Sequence, residues 1–254
     1  MKVLITGASS GIGKEMAKIF SRKGYDLVLV ARDLSKLEEL KTQLETERPN
    51  STVQTVSVDL SVEDNCKKLC EQIGDVDILV NNAGFGDCGL FTETDLDKEL
   101  KMIRTNVTAY HILMKEYLKR MKKNNRGQIL NVASVAGFLP GPLMATYYAT
   151  KAYVVRLTEA VRVELKKEKS AVRISMLCPG PVATNFSKRA EVNFQCSEAD
   201  SSAVAAYAIK KMEKGKFYIV PRFSVKMMRL GAKLFPTGLV SKVAYRIQKQ
   251  RTEK

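Results

Sequence analysis

Two side chains of the sequence, Tyr147 and Lys151, have the types and the spacing that proton transfer needs. Residues four apart in a helix lie on one face, so the phenol and the ammonium can approach each other. A phenol with a pKa of about 10 is a poor base at neutral pH, but a neighbouring ammonium stabilises the phenolate. We therefore predict that Lys151 lowers the pKa of Tyr147 and that the pair performs general acid–base catalysis. The spacing alone leaves Tyr148 open as the phenol of this pair.

Ser134 lies thirteen residues before Tyr147, inside a stretch (128–150) that has no charged residue. A membrane-spanning helix would have a similar length, but Asn131 and Pro140 would leave polar groups in lipid or break the helix. We interpret the stretch as a buried strand followed by an active-site loop. This context favours a catalytic Tyr–Lys pair over the plain alternative, a pair on an exposed helix.

Composition argues against several other kinds of site. The sequence has one histidine, His111, which is too few for a histidine-based triad or a multi-histidine metal site. The five cysteines lack zinc-site spacing, and Cys66 and Cys70 have no second Cys or His pair to complete four ligands. We predict no metal, and thiols kept free in a reducing cytosol. The N-terminus has no signal-peptide layout, so a cytoplasmic protein is expected.

A glycine-rich segment follows the first predicted strand (3–6). Gly7, Gly11 and Gly13 precede a predicted helix. Glycines let a phosphate approach the backbone, and the first turn of a helix presents unpaired N–H groups to an anion. The spacing GxxxGxG is one residue longer in its first gap than the common dinucleotide fingerprint. A plain turn is the alternative, but the position directly after the first strand favours dinucleotide binding.

The second predicted strand leads into Arg32, where an acidic residue would hydrogen-bond the ribose 2′-hydroxyl of NAD. An arginine here can pair with the additional phosphate of NADP, and Ser9 can add a hydroxyl. Asp33 follows at once, and we interpret it as a helix cap. A solvated surface arginine is the plain alternative. We predict NADP as the cofactor, in preference to NAD.

Apolar runs rich in β-branched residues alternate with helical patterns, which predicts a parallel sheet with helices on both faces. The predicted strands are 3–6, 26–31, 53–58, 78–81, 128–133, 173–178 and 217–220. The predicted helices lie near 12–23, 33–46, 61–73, 95–123, 147–169 and 198–213. Candidate helix caps are Asp33, Ser61, Ser197 and Asp200. No repeat or linker interrupts the pattern, so we predict one catalytic domain over 1–221.

The segment 222–254 differs in composition from the rest of the chain. From Arg222 to Arg251 it has eight Lys or Arg residues and no Asp or Glu, with apolar residues at helical spacing. We predict a basic amphipathic extension of two short helices that packs over the substrate cleft or a subunit boundary. Peripheral contact with an anionic membrane is the second interpretation. The net charge of +15 favours anionic partners, but no nucleic-acid reading motif is present, and nucleic acid is not an expected partner.

Several of these segments resemble, in the same order, the short-chain dehydrogenase/reductase family. The cofactor side of the family is matched by the loop 6–13, by Asp59-Leu60, by the motif 81–84, by Pro179-Gly180 and by Thr184. The catalytic tetrad is matched by Asn106, Ser134, Tyr147 and Lys151, and this pattern selects Tyr147 over Tyr148. The matches run from residue 3 to about residue 221. A looser likeness connects the chain to hydroxysteroid dehydrogenases and long-chain 3-ketoacyl reductases.

The resemblance implies an α/β fold: a doubly wound, Rossmann-type sheet of seven parallel strands in the order 3-2-1-4-5-6-7. It implies a homodimer or tetramer formed through helices 106–122 and 147–169. The cofactor contacts that it implies are Gly7, Ser9, Ser10, Gly11, Ile12, Gly13, Arg32, Asp59, Leu60, Asn82, Ala83, Gly84, Tyr147, Lys151, Pro179, Gly180, Val182 and Thr184.

The expected chemistry is hydride transfer between NADP(H) and a carbonyl or alcohol. In reduction, Tyr147 protonates the developing alkoxide and Ser134 donates a hydrogen bond to the same oxygen. By resemblance, Lys151 also holds the nicotinamide ribose. Asn106 orders a water that replaces, through Lys151, the proton that Tyr147 has donated. The plain alternative is that Asn106 is a polar residue of the helix interior.

The substrate side is expected to include a lid at 185–195. Phe186 and Phe194 suit an apolar substrate, whereas Lys188 and Arg189 suit an anionic one. A hydrophobic steroid, fatty-acyl or aromatic ketone is favoured by further apolar residues near Ser134: Phe138, Leu139, Leu143 and Met144.

A cofactor-sensing regulatory protein without turnover is the alternative function. The intact Ser–Tyr–Lys set argues against it, because a sensor does not need a proton-transfer pair. The fold alone would not distinguish the two.

Overall fold

Strands and helices alternate along the chain, as the sequence pattern predicts. The computed structural model describes residues 1–184, 186, 199–222, 227–228, 231 and 234–252. The strands are β1 (Lys2–Thr6), β2 (Asp26–Ala31), β3 (Val53–Ser57), β4 (Ile78–Asn81), β5 (Gln128–Val132), β6 (Arg173–Leu177) and β7 (Tyr218–Ile219). The helices are α1 (Gly11–Arg22), α2 (Leu34–Glu47), α3 (Glu63–Ile73), α4 (Leu96–Ile103), α5 (Ala109–Lys123), α6 (Ala145–Lys167), α7 (Ser201–Glu213) and α8 (Thr237–Thr252). All seven predicted strands are confirmed to within one residue at each end.

All seven strands are parallel and lie in the predicted order 3-2-1-4-5-6-7. The chain moves outward from β1 to β3 and then returns to place β4 on the other side of β1. Ligands of such doubly wound sheets bind at the carboxyl ends of the strands, where this order reverses. The register brings the ends of β1, β4 and β5 to one edge, since Ile5 is opposite Val80 and Asn81 is opposite Asn131.

Apolar side chains cover both faces of the sheet. Alternate residues of a strand point to opposite faces. In β1, Leu4 belongs to the core formed with α3, α5 and α6, whereas Val3 and Ile5 belong to the core formed with α1, α2 and α7. This double cover explains why the strands read as nearly continuous apolar runs, and it leaves the strand ends as the accessible part of the sheet.

Two predicted helix caps are confirmed and one is wrong. Asp33 accepts a hydrogen bond from the Lys36 N–H (3.1 Å), and Asp200 accepts one from the Ala203 N–H (2.8 Å). Ser61 does not cap α3, because its hydroxyl donates to Asp59 and the helix begins two residues later. Ser197 lies outside the described residues.

The predicted helix 95–123 is three consecutive pieces. A π-helical turn (Arg104–Thr108) separates α4 from α5, and the Ala109 N–H bonds the Arg104 carbonyl five residues before it. Such wide turns often occur at functional sites. Of the two helices predicted in the C-terminal segment, the second is α8, while most of the first lies outside the described residues.

The uncharged stretch 128–150 contains β5, whose five residues are all buried, followed by a 3₁₀ turn (Val135–Phe138) and the start of α6. Within the part of the chain that the structure describes, no helix combines the length and the apolarity needed to cross a bilayer. Cys66 and Cys70 are buried in the core between the sheet and α3, and burial raises the pKa of both thiols, to about 12 and about 11.

Candidate active site

A cavity of about 660 Å³ follows the carboxyl edge of the sheet. Its volume is within the usual range for cofactor and small-molecule sites. Its wall includes every predicted cofactor residue except Gly13: Gly7, Ser9, Ser10, Gly11, Ile12, Arg32, Asp59, Leu60, Asn82, Ala83, Gly84, Tyr147, Lys151, Pro179, Gly180, Val182 and Thr184. Of the predicted catalytic residues, Ser134, Tyr147 and Lys151 line it, and Asn106 does not.

The glycine loop after β1 is fastened to the end of β4. The Thr6 hydroxyl accepts hydrogen bonds from the backbone N–H groups of Asn82 and Ala83, both at 2.9 Å. The Asn82 amide donates to the carbonyls of Thr6 (2.9 Å) and Gly7 (3.2 Å). A Cβ on Gly7, whose φ is +67°, would lie 2.8 Å from the Asn82 amide nitrogen, and one on Gly13 would lie 2.4 Å from the Gly7 carbonyl oxygen. The loop therefore requires glycine, and Gly13 acts in packing instead of lining the cavity.

The first turn of α1 faces the cavity with backbone N–H groups that receive no side-chain cap from the residues that the structure describes. Ser10 is the extended residue before the helix, and its side chain makes no capping bond. The first turn has no acidic residue. These groups, with the close approach that Gly7 and Gly11 permit, fit a pyrophosphate.

Three charged residues mark the outer end of the cavity. Arg32 is exposed there, and no residue in the described ranges forms an ion pair with its guanidinium. Asp33 also lines the cavity, but it is engaged as the cap of α2. Asp59 accepts hydrogen bonds from Ser61 and pairs with Lys101 (3.1 Å). Burial raises the pKa of the Asp59 carboxyl, but these contacts outweigh it and leave the pKa below its ordinary value.

Tyr147 and Ser134 meet at the middle of the cavity. Tyr147 is on the first turn of α6 and Ser134 follows β5, and both side chains are buried. The Ser134 hydroxyl lies close enough to the phenol to stabilise the phenolate form of Tyr147. The Ser134 oxygen also accepts a bond from the Ala136 N–H (3.1 Å), which fixes its direction.

Burial raises the pKa of the Tyr147 phenol well above its ordinary value, and the interaction with the Ser134 hydroxyl only partly opposes this. The prediction that Lys151 brings the pKa of Tyr147 below its ordinary value is therefore wrong. The physical reason is that desolvation of the phenolate outweighs an ammonium that lies 5.9 Å from the ring centre. At neutral pH the phenol is protonated, which is the form that can donate a proton.

Lys151 is held by the end of β5. Its ammonium donates to the Val132 carbonyl (3.0 Å) and lies 5.4 Å from the centre of the Tyr110 ring. The Tyr110 hydroxyl donates to the same carbonyl (2.8 Å). Burial lowers the pKa of Lys151 to about 8. The residue is thus cationic at neutral pH but close to its titration.

Asn106 is buried in the π-helical turn, beside the cavity wall. Its amide nitrogen donates to the Phe85 carbonyl (2.8 Å) and to the Thr150 hydroxyl (3.1 Å), and its oxygen accepts from the Phe85 N–H (3.1 Å). The Thr150 hydroxyl in turn donates to the Tyr147 carbonyl (2.7 Å). Asn106 therefore ties the loop after β4 to the helix turn that carries Tyr147. The proposed water relay through Asn106 stays a prediction.

Aromatic and aliphatic side chains form the substrate side of the cavity. The Phe186 ring lies 5.1 Å from the Tyr147 ring, and Leu139 and Met144 line the same wall. Two predicted residues are elsewhere: Phe138 packs against Tyr218 and the core, and Leu143 is not part of the wall. Lys188, Arg189 and Phe194 lie outside the described residues.

The C-terminal helix supplies wall residues that no sequence motif identified. Ala244, Ile247 and Gln248 of α8, together with Met228, line the cavity. The Gln248 amide donates to the Tyr148 hydroxyl (2.5 Å). This contact distinguishes the two adjacent tyrosines, because the Tyr148 hydroxyl bonds α8 whereas Tyr147 interacts with Ser134. Apolar spacing had indicated that the segment packs on the domain, but a buried glutamine has no local signal.

Comparison with known proteins agrees with this architecture. Residues 1–193 match the family described as short chain dehydrogenase. An uncharacterised oxidoreductase of Staphylococcus epidermidis is 33% identical over 199 residues, which are 76% of this chain and 85% of that protein. A very-long-chain 3-oxoacyl-CoA reductase of Pyrenophora tritici-repentis is 38% identical over 171 residues, which are 64% of this chain and 50% of that protein.

Two solved structures share the fold over nearly the whole chain. A short-chain dehydrogenase from Sphingobium yanoikuyae in complex with NADPH covers 94% of each chain with a TM-score of 0.84 and 30% identity. A short chain dehydrogenase/reductase from Burkholderia phymatum in complex with NAD covers 91% of this chain and 92% of that one, with a TM-score of 0.82 and 26% identity. With the family match over most of its length, the chain belongs to the short-chain dehydrogenase/reductase family of oxidoreductases.

Proposed function

We propose that this oxidoreductase uses NADP(H) to interconvert a hydrophobic ketone or aldehyde with the corresponding alcohol, with Ser134, Tyr147 and Lys151 as its proton relay. One observation carries the proposal: Ser134, Tyr147 and Lys151 lie in the wall of the same cavity as the glycine loop. A proton donor and an anion-binding loop in one cavity suit a reaction in which a phosphorylated cofactor and a carbonyl react side by side.

The cofactor end of the cavity fits a nicotinamide dinucleotide phosphate. The glycine loop and the uncapped first turn of α1 would hold the pyrophosphate. Arg32, exposed at the outer end and without an ion-pair partner among the described residues, would pair with the 2′-phosphate. The similar proteins bind NADPH in one structure and NAD in another, so Arg32 is the feature of this chain that favours NADP.

Bound NADP(H) would supply or accept the hydride, and side chains of the protein donate or accept the proton. In reduction, the Tyr147 phenol donates its proton to the substrate oxygen, and the Ser134 hydroxyl donates a hydrogen bond to that oxygen. Burial keeps the phenol protonated at neutral pH, which suits reduction. Alcohol oxidation needs the phenolate, so we expect its rate to rise with pH where the rate of reduction does not.

Lys151 and Asn106 would support this step in different ways. The Lys151 ammonium, fixed on the Val132 carbonyl, would hold the nicotinamide ribose and return a proton to Tyr147. Asn106 is a positioning residue, because its bonds to Phe85 and Thr150 hold the loop after β4 against the first turns of α6.

The substrate end favours an apolar carbonyl compound such as a steroid, fatty-acyl or aromatic ketone. Phe186 and Met144 pack with Tyr147, and Leu139 and Ile247 add carbon surface to the wall of the same cavity. One similar protein is a very-long-chain 3-oxoacyl-CoA reductase, whose name agrees with a bulky apolar substrate. The rival function, a cofactor sensor without turnover, would not need the buried Ser–Tyr pair.

The test is NADPH and NADH consumption with a panel of apolar ketones, for the wild type and Arg32→Ala. Loss of a charge-assisted phosphate contact should raise the KM for NADPH about 10- to 100-fold and leave NADH nearly unchanged. Arg126→Ala, an exposed arginine just before β5 at the opposite edge of the sheet, is the matched control. Equal shifts for both cofactors would contradict the NADP assignment, and tight NADPH binding without turnover of any ketone would favour the sensor.

A further inference from the structure

An apolar stripe of three residues, Leu239, Val243 and Ile247, runs along the outside of α8. The three are spaced by four residues, so they lie on one side of the helix. They are 51%, 48% and 40% exposed, respectively. Single exposed aliphatic residues are common, but a row of three on one helix indicates a surface that binds a partner or a membrane.

The adjacent side of α8 is anchored to the domain. Ala244 and Gln248 are buried, and Gln248 bonds the Tyr148 hydroxyl. The apolar stripe is therefore not the face by which the helix packs. Ile247 lines the cavity and is also exposed, as is Met228, so the stripe ends at the mouth of the cavity.

A row of cations runs beside the apolar stripe. Lys242 and Arg246 are each one position before a stripe residue, and both are exposed. Neither forms an ion pair with a residue in the described part of the chain. The sequence from Arg222 to Arg251 has eight basic and no acidic residues within a chain of net charge +15.

We propose that the apolar stripe and the adjacent cations dock this enzyme on an anionic lipid bilayer, with the mouth of the cavity toward the lipid. A helix with an apolar side and Lys/Arg beside it lies in the headgroup region, where the carbon side chains enter the acyl boundary and the cations meet anionic headgroups. A second copy of the chain is a poorer occupant, because a symmetric contact would bring the same basic row against itself. An apolar substrate dissolved in the bilayer would then reach the cavity without crossing water.

The test is sedimentation of the full chain with sucrose-loaded vesicles of phosphatidylcholine alone or of phosphatidylcholine and phosphatidylserine at seven to three. We expect the wild type to bind the anionic vesicles at least tenfold more tightly than the neutral ones, and to be released by high salt. Leu239→Ser/Val243→Ser removes two stripe residues that do not line the cavity, and should weaken binding at least tenfold. Lys242→Glu/Arg246→Glu should abolish the preference for anionic vesicles.

The matched control is Leu34→Ser/Val62→Ser, which changes the same residue types at nearly the same exposure, 50% and 47%. This control should bind vesicles as the wild type does. Thermal melting checks that each variant folds, and gel filtration reports its oligomeric state. A wild type that stays in the supernatant with both vesicles overturns the proposal, as does a stripe variant that only converts a dimer to a monomer. Because binding is measured without turnover, failure here leaves the proposed reaction intact.

Discussion

The two ends of the cavity are built in different ways. The cofactor end consists mainly of backbone: Gly7 and the first turn of α1 present N–H groups, and Thr6 and Asn82 fasten this loop to β4. The substrate end consists of side chains that come from distant parts of the sequence, α6 and α8 among them. A backbone site tolerates little change, whereas a side-chain wall can be altered residue by residue. Substitutions at the first end should therefore affect stability and cofactor affinity together, while those at the second should affect substrate use alone.

The largest effect is expected where the two ends meet, at Tyr147. Tyr147→Phe removes the proton donor and keeps the ring, so kcat for ketone reduction should fall about 1000-fold. The Kd for NADPH, measured by fluorescence titration, should change less than twofold. Tyr148→Phe is the matched control, and its kcat should fall only a few-fold, because the Tyr148 hydroxyl bonds Gln248 of α8. Comparable losses in both variants would mean that the proton donor has been misassigned.

The backbone end can be tested with two glycines that share one backbone angle. Gly7 and Gly74 have φ of +67° and +66°, but a Cβ meets Asn82 and Ala83 within 3 Å at Gly7 and nothing within 4 Å at Gly74. Gly74→Ala should cost about 1 to 3 kcal/mol of unfolding free energy through backbone strain alone, because ψ of Gly74 is −145°. Gly7→Ala adds crowding, and should cost about 3 kcal/mol or more and weaken NADPH binding. If urea unfolding shows that both variants lose the same free energy of unfolding, packing against β4 does not fix the loop.

A third test concerns the ammonium buried between the two ends. The pKa of Lys151 falls from 10.5 to about 8 on folding, so the unfolded chain binds more protons between these values. Its contribution to stability is therefore present above pH 10.5 and is lost as the pH falls through about 8. Lys151→Met removes this buried charge, so the variant should have a higher free energy of unfolding than the wild type. The difference should be larger at pH 7 than at pH 9.5 by about 2 kcal/mol.

Urea unfolding at the two pH values measures this difference. The Val132 carbonyl keeps the Tyr110 hydroxyl as a donor in the variant, so no acceptor is left without a partner. Lys67→Met, at an exposed lysine, should show no such pH dependence. The same null result for Lys151→Met would show that its ammonium is not desolvated.

The smallest effect is expected at the substrate wall. Gln248→Ala removes the bond to Tyr148 and loosens α8, so KM for a bulky ketone should rise a few-fold while kcat and the KM for NADPH stay unchanged. Lys242→Ala, on the outside of the same helix, should change none of these constants. A fall in kcat for Gln248→Ala would indicate that α8 takes part in the chemical step, and the two ends would then not be separable.

Features formed by neighbouring residues could be predicted from the local sequence, whereas features formed by residues far apart in the chain could not. The strands and the glycine loop follow from local patterns, because each of them is formed by consecutive residues. The order of the strands in the sheet is not local, and it was predicted from the family resemblance. The π-helical turn at Arg104–Thr108 interrupts an ordinary helical pattern, and the partners of Asn106 lie 21 and 44 residues away. The pKa of Tyr147 was predicted in the wrong direction because burial depends on the whole fold, which the spacing to Lys151 does not contain.

A crystal structure of the chain with NADPH and a slowly reduced apolar ketone is the most direct test of the proposed reaction. We expect the 2′-phosphate beside Arg32, the pyrophosphate on the first turn of α1, and the ketone oxygen within hydrogen-bonding distance of both the Ser134 and the Tyr147 hydroxyls. A cofactor bound elsewhere, or a ketone oxygen turned away from Tyr147, would contradict it.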